Sequence, residues 1–251
     1  MFQDIKKRIF LIVLIFLLIP ILSNALEIGT SRDFFIVSDL DLKGRQEISA
    51  SLQKKSAQIL FYIEDKWWVE IEEEKRAGVL IGLTELVQEF ENNIRPKLTE
   101  IFGPIACPGI DNDKRITVLV HQMEEEVGGY FNQADGHSRI QVPMSNEREM
   151  IYINTFHINK PWARAILAHE FIHLITFNQK NLLQGIREEI WLNDVRAEFA
   201  STLLGYDDIF RGSNLERRLE VFSDNPSDSL TEWREGIADY GIVNLFAQYL
   251  V

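Results

Sequence analysis

Apolar residues are spaced along this chain in two ways, and each spacing predicts one kind of element. Short runs rich in β-branched and aromatic residues are typical of strands. On this basis, strands are predicted at residues 34–37, 58–63, 116–120, 128–131 and 149–154. The predicted sheet therefore lies in roughly the first 154 residues, and the short stretch at 128–131 is expected to form an edge strand.

Steps of three and four residues between apolar positions predict helices. This spacing covers residues 77–102, where Pro96 is expected to kink or divide the helix. It returns from Pro161 to about residue 178, at 186–204 and at 238–250. The C-terminal part of the chain is therefore expected to be mainly helical, with Gly205 as the C-cap of the helix at 186–204.

Two other stretches are compatible with more than one structure. Residues 47–55 admit a short helix or an irregular link, while Trp67 and Trp68 would extend a strand or cover an edge of the sheet. These tryptophans are expected to pack rather than to bind a ligand, because isolated aromatic side chains mostly bury area. Asp111 and Asp113 alternate as in a calcium loop, but the remaining ligands are missing, so a turn before a strand is favoured.

The first 25 residues have the pattern of a secretory signal peptide. Lys6, Lys7 and Arg8 precede an apolar run at 9–22, and small residues allow cleavage after Ala25. An uncleaved N-terminal anchor is the alternative, although the run is short for a spanning helix. The protein is accordingly expected to be secreted or periplasmic, with no membrane attachment after cleavage.

Charge and cysteine content restrict the partners and the domain organisation. The net charge of −12 would become −14 without residues 1–25, which carry one acidic and three basic side chains. This balance argues against nucleic acid as a partner. Cys107 is the single cysteine, so no internal disulfide can form. Residues 26–251 are expected to form one α+β domain, with a sheet-rich lobe at 26–158 and a helical lobe at 159–251.

The most specific chemical motif is His169-Glu170-Phe171-Ile172-His173, in the helix predicted from Pro161. Two histidines four residues apart project from one helical face, so both imidazoles can bind one tetrahedral zinc ion. Glu170 beside them could take a proton from a water molecule as it becomes a nucleophile. The motif predicts a metallopeptidase; the alternative is a hydrogen-bonded structural pair of histidines.

Zinc held by two histidines needs at least one further protein ligand. Asp194 and Glu198 are the best candidates, because residues four apart share a face of the helix at 186–204. One would bind the metal, and the other would hold the free ring N–H of a metal-bound histidine. Glu188 is a weaker candidate.

Other assignments of these polar residues are less favoured. The acidic residues could instead form a solvated helical face, paired with Arg187 or Arg196. His121, His137 and His157 lie at a strand end or in predicted loops, and we expect them to be surface residues or to support a metal-bound residue.

The two motifs together resemble those of the gluzincin metallopeptidases, especially the hyicolysin-like neutral zinc metallopeptidases. The HExxH motif is followed by Trp191-Leu192-Asn193-Asp194-Val195-Arg196-Ala197-Glu198-Phe199-Ala200, which is similar to the family pattern WLNEGxAEYA. Weaker similarity extends to residues 129–131, 145–152 and 239–241. The resemblance covers roughly the C-terminal half of the mature chain.

This resemblance implies a zincin-like α+β fold that holds one zinc ion. By position, His169 and His173 become metal ligands, Glu170 the general base, Asp194 the third ligand, and Glu198 a supporting residue or alternative ligand. The family pattern has Glu where this chain has Asp194, which is one methylene shorter and requires a closer approach of its helix.

The implied activity is hydrolysis of peptide bonds in peptides or proteins, with an endopeptidase expected. The alternative is a secreted zincin-fold binding protein whose altered second motif weakens or abolishes turnover. Tyr240 is a speculative oxyanion donor, with core packing as its other role. Gly129 and Tyr130, in the predicted edge strand, could pair with an extended peptide, with a simple glycine turn as the alternative.

Overall fold

A computed structural model describes residues 26–234 and 236–250 of the chain. A sheet occupies the N-terminal half of this part, and helices dominate the C-terminal half, so the α+β class is confirmed. The signal peptide predicted at residues 1–25 lies outside the described residues. Among the residues described, no helix combines the length and the apolar character needed to cross a membrane.

The described residues contain one mixed sheet. Its strands are β1 (Ser31–Phe35), β2 (Glu47–Lys55), β3 (Ile59–Glu64), β4 (Ile116–His121), β5 (Gly129–Tyr130) and β6 (Met150–Asn154). Their spatial order is β1-β2-β3-β4-β6-β5. Strands β3, β4 and β6 are parallel, whereas β1, β2 and β5 pair antiparallel with their neighbours. The two-residue strand β5 therefore forms one edge, as the sequence predicted.

Seven α-helices accompany this sheet in the described part of the chain. They are α1 (Asp65–Glu70), α2 (Glu73–Glu89), α3 (Arg95–Phe102), α4 (Ala163–Thr176), α5 (Ile190–Leu203), α6 (Asn214–Asp224) and α7 (Ile237–Leu250). A π-helical turn at Phe90–Ile94 joins α2 to α3, and another at Phe177–Leu182 continues α4. Pro96 lies in the first turn of α3, where its missing N–H is tolerated. The predicted division of this long helix is thus confirmed.

The core explains why α4 lies so close to the sheet. Strands β3, β4 and β6 are buried at every position, as is usual for parallel strands covered on both faces. Alternate residues such as Ile151 and Ile153 pack with Leu167 and Phe171 of α4, whereas Tyr152 joins the core on the opposite face. The helix with the HExxH motif is therefore held against the sheet by its own apolar face.

Two of the local expectations were wrong. Residues Glu47–Lys55 form strand β2 rather than a helix or a link, because Ile48, Ala50 and Leu52 alternate into the core. Trp67 and Trp68 lie in the short helix α1 and do not extend a strand. Packing was nonetheless their predicted role, and Trp67 is buried in the main core while Trp68 packs against it.

Candidate metal centre

Helix α4 presents the two motif histidines from a rigid position. Leu167, Phe171 and Leu174 are buried in the core, so the opposite side of α4 faces the helices that follow. His169 and His173 lie on that side, with their Nε2 atoms 3.1 Å apart. Both rings keep part of their surface accessible. The predicted pairing of these imidazoles on one face of a helix is therefore present.

Helix α5 packs beside α4 and brings a carboxylate to the same point. Asp194 Oδ1 lies 3.6 Å from Nε2 of His169 and 3.6 Å from Nε2 of His173. One donor atom from each of these three residues lies within 4.8 Å of the other two. Asp194 therefore reaches the two histidines despite its shorter side chain, because α5 approaches α4 closely.

The spacing of these three donor atoms suits a tetrahedral metal ion. Zinc bonds to nitrogen and oxygen of roughly 2.0–2.1 Å place neighbouring donor atoms of a tetrahedron roughly 3.3 Å apart. The observed separations of 3.1, 3.6 and 3.6 Å bracket that value. Two imidazole nitrogens and one carboxylate oxygen also form a donor set that zinc accepts, with a fourth position left for water. The residues present thus fit a single zinc ion.

Glu198 occupies a different place, behind the ring of His169. Its Oε1 lies 3.4 Å from Nδ1 of His169, which is the nitrogen on the far side of the ring from Asp194. An acceptor at this position favours a proton on Nδ1 and leaves Nε2 free to donate its lone pair. Asp194 and Glu198 therefore approach different nitrogens of His169, although they share one helical face.

Arg218 of α6 compensates the buried charge of Glu198. Its Nε and Nη2 atoms donate to the two carboxylate oxygens, each at 2.7 Å. Asn214 donates to the same carboxylate at 3.1 Å and Asn244 of α7 at 3.3 Å. Charge-assisted pairing of this bidentate kind is both strong and directional. Three polar residues from α6 and α7 thus fix the carboxylate that orients His169.

These three supporting residues were not found from the sequence. A local signal for α6 existed, since Ser213 and Glu216 have the spacing of a capping box. In the structure the Ser213 hydroxyl accepts the backbone N–H of Glu216. The capping box predicts where the helix begins, but it carries no information on which distant carboxylate Arg218 meets.

Glu170 lies on the side of α4 that faces the sheet edge. It is only 6% exposed, and its Cγ would lie 3.2 Å from a Cβ at Gly129. Burial is the main cause that raises the pKa of Glu170 to about 7. The negative charges of Asp194 and Glu198 add to this rise, whereas the positive charge of His169 opposes it. A carboxylate with a pKa near neutrality is suited to proton transfer.

The two histidines differ electrostatically. Burial is the main reason that the pKa of His173 is lowered to about 4, which keeps its imidazole neutral. Burial also disfavours the charged form of His169, but the hydrogen bond that it donates to Asp194 and the charges of Glu170 and Glu198 outweigh burial and raise its pKa to about 9. The site thus attracts positive charge.

Arg218 lowers the pKa of Glu198. Burial alone would raise the pKa of this carboxyl group, but the charge and hydrogen bonds of Arg218 lower it to about 2. Glu198 therefore remains an acceptor for His169 over the whole range of ordinary pH.

Tyr240 of α7 borders the same site. Its ring centroid lies 6.4 Å from that of His169, and the guanidinium of Arg218 lies 4.8 Å from the centre of its ring. Burial and the nearby carboxylates raise the pKa of Tyr240 well above its ordinary value, so its phenol stays protonated. The ring also packs edge-on against Trp233, so both predicted roles remain compatible with its position.

The other histidines lie away from this centre. His121 was expected to be a surface or supporting residue, but its side chain is fully buried and lies 3.5 Å from Asp41. His137 packs on Phe177, and His157 accepts a hydrogen bond from Trp162. None of the three belongs to the group of donor atoms around Asp194. Glu188, the weaker candidate, forms an ion pair with Arg196 instead.

Comparison with known proteins gives one informative similarity. No protein-family model matches the chain. Over 188 residues the chain is 28% identical to the neutral metalloprotease ShpI of Staphylococcus hyicus. The chain is a distant relative of a metalloprotease. The aligned part is 65% of this chain but only 40% of the length of ShpI.

The similarity and the geometry are independent observations that agree. Similarity to a metalloprotease is consistent with the convergence of three candidate metal ligands between α4 and α5.

Proposed function

We propose that this chain is an exported zinc endopeptidase with a zincin-like fold of the gluzincin type. The observation that carries the proposal is the convergence of His169, His173 and Asp194 at separations of 3.1–3.6 Å. These distances match the edges of a zinc tetrahedron, and Glu170 stands beside them. The distant metalloprotease relative supports the same assignment.

In this proposal His169, His173 and Asp194 hold the zinc ion, and Glu198 positions His169 through Nδ1. Zinc, when bound, would polarise the scissile carbonyl and lower the pKa of water. Glu170 accepts the proton of the attacking water and later delivers it to the leaving amine. Tyr240 contributes its phenolic O–H as a hydrogen-bond donor to the oxygen on which negative charge develops.

The free edge of β5 would bind the substrate backbone. Gly129 lies directly over Glu170, so a peptide that added to this edge as a further strand would pass along the metal centre. Main-chain hydrogen bonds of this type provide affinity without demanding a particular sequence. Such a platform suits an endopeptidase, which must accept residues on both sides of the cleaved bond.

The decisive test compares Glu170→Gln with the wild-type protein. The variant should retain zinc, because Glu170 is not among the three ligands, yet lose peptidase activity by roughly 10²–10⁴-fold. Zinc content by mass spectrometry and cleavage of an unstructured protein would be measured on the same preparation. Undiminished cleavage by Glu170→Gln would contradict the mechanism.

A matched control and a second substrate sharpen this test. Glu189→Gln removes an exposed glutamate just before α5 and should leave both readouts unchanged. A peptide blocked at both termini should be cleaved by the wild-type enzyme, since an endopeptidase needs no free terminus. Stoichiometric zinc in the wild-type protein without any cleavage would instead indicate a zincin-fold binding protein.

A further inference from the structure

Strand β5 is too short to be held in place by its backbone alone. It pairs with β6 over only two residues, Gly129 with Ile153 and Tyr130 with Tyr152. Such a short edge element has few ladder hydrogen bonds, and edge segments of this kind open easily. The strand nevertheless lies very close to its neighbours. A Cβ at Gly129 would lie 2.5 Å from the carbonyl oxygen of Tyr152 and 3.0 Å from the side chain of Ile166.

Side chains of the strand alternate between the two faces of the sheet. Phe131, the residue after β5, packs near Phe177, the residue after α4, with ring centroids 5.5 Å apart. Tyr130 points to the opposite face, where its ring stacks on Tyr152 at 4.1 Å with an angle of 10° between the planes. Tyr130 is therefore the side chain that attaches β5 to the core on the face away from the metal centre.

The phenol of Tyr130 is held from two directions. Its oxygen accepts the backbone N–H of Val37 at 3.3 Å, and it lies 3.3 Å from Nε2 of His121. Nδ1 of His121 faces the carbonyl of Gln122 at 3.1 Å and Asp41 at 3.5 Å. With a proton on Nδ1 for these acceptors, Nε2 can accept the hydroxyl hydrogen of Tyr130.

A buried ion-pair network fixes His121 in turn. Arg45 donates to both oxygens of Asp41, at 3.0 and 2.7 Å. The same guanidinium donates to Glu64 at 2.5 and 3.2 Å, and Glu64 accepts the backbone N–H of Gln122. Asp41, Glu64 and His121 are almost completely buried. Because each group is partnered, the network is a rigid support rather than a source of strain.

We propose that Tyr130 is the positioning residue of the edge strand, and that its hydroxyl, held by His121 and Val37, fixes the position of β5 for substrate binding. The inference rests on the proposed peptidase function, because it assigns β5 to substrate binding. Tyr130 would not touch the reacting atoms. It would act through the backbone of Gly129, with which a bound peptide would pair.

The test uses Tyr130→Phe, which removes only the hydroxyl, and Tyr206→Phe as matched control. Tyr206 donates its hydroxyl to Glu89, at the end of α2, at 2.7 Å, so the control also loses one partly buried hydrogen bond. For a long substrate that spans the strand, Tyr130→Phe should raise KM by about 2- to 10-fold, the equivalent of one hydrogen bond. The kcat value and the zinc content should change less than about 2-fold.

A short blocked dipeptide substrate distinguishes positioning from general damage. Its KM should stay within about 2-fold of the wild-type value, because it makes few contacts with the strand. A merely structural role would instead change both substrates alike, or affect Tyr206→Phe to the same extent. Either result would overturn the inference.

Amide hydrogen exchange provides a readout that does not depend on activity. Exchange at residues 129–131 should accelerate in Tyr130→Phe and not in Tyr206→Phe, with or without zinc. Unchanged exchange in this segment would refute the positioning role even in an active enzyme. A wild-type protein that cleaves nothing, with faster exchange only in Tyr130→Phe, would refute the peptidase function and leave the anchoring of β5 intact.

Discussion

Arg218 and Glu198 form a bidentate ion pair, 2.7 Å at each contact, directly behind the ring of His169. The two residues come from different helices, and both are largely buried. This pair connects α6 to the metal centre without contributing a donor atom to it. The stability of the fold and the affinity for metal should therefore respond together when it is broken.

Arg218→Met should leave the buried charge of Glu198 without a partner. Loss of one member of a buried pair costs about 3–5 kcal/mol of stability, and loss of a group that orients a metal ligand lowers metal affinity about 10- to 100-fold. Urea unfolding without metal and zinc titration would measure the two effects. Arg211→Met is the control, because Arg211 is exposed in the loop before α6; equal losses in both variants would contradict the assigned role of Arg218.

Asp194→Ala and Glu198→Ala should separate a metal ligand from a supporting residue. Asp194→Ala removes one of the three donor side chains, so the purified protein should contain almost no zinc. Glu198→Ala leaves all three donor atoms in place, so zinc should still bind, about 10- to 100-fold more weakly. Metal content after dialysis against graded chelator concentrations would distinguish them, and the reverse order would make Glu198 the ligand.

Gly129→Ala should disrupt the approach of β5 to α4. The added methyl group would lie 2.5 Å from a backbone oxygen of Tyr152, which cannot move aside easily. We expect a loss of about 1–3 kcal/mol in the free energy of unfolding and a severe loss of activity. Gly128→Ala is the control, since its methyl group would meet side-chain atoms of Ile166, the nearest at 3.3 Å, rather than a backbone atom. Similar behaviour of both variants would mean that close packing at Gly129 is unimportant.

The free energy of unfolding should contain a pH-dependent contribution from Asp135. This carboxyl group is fully buried, and burial raises its pKa from 3.8 to about 6 despite hydrogen bonds from Tyr152 and Asn146. The folded state therefore binds the proton more tightly than the unfolded state does. The contribution stabilises the fold below about pH 4 and is lost as the pH rises through about 6.

Asp135→Asn should remove this contribution, because an amide does not ionise in this range. Relative to the wild type, the variant should gain up to about 3 kcal/mol between about pH 4 and pH 7. Urea unfolding of both proteins at the two pH values, with chelator present throughout, gives the difference directly. A difference that is constant with pH, or that changes in the opposite direction, would show that folding does not raise the pKa of Asp135.

The sequence was most informative where local pattern decides the structure. The HExxH spacing places two imidazoles on one helical face whatever surrounds the helix. The long apolar runs at β3, β4 and β6 likewise have few alternatives to buried strands. Gly205, predicted as a C-cap, has a φ of +78° just after α5, a conformation that favours glycine.

The sequence was less informative where contacts between residues far apart in the chain determine the structure. The pattern did not predict strand β2, because one of its buried positions is the small residue Ala50, between two polar neighbours. The alternation of apolar and polar residues in this stretch is therefore weak. Arg218 and Asn244 were missed because their partner Glu198 lies 20 and 46 residues away in the chain. The burial of His121 depends on Asp41, 80 residues earlier, and no local spacing encodes that contact.

In the proposed zinc site, the residues that support metal binding extend further along the chain than the three donor residues. His169, His173 and Asp194 all precede residue 195, but the groups that hold Glu198 extend to Asn244. A nick or truncation in the loop before α6 would leave every donor atom in place. It should still weaken zinc binding, because α6 and α7 could then separate from the carboxylate that orients His169.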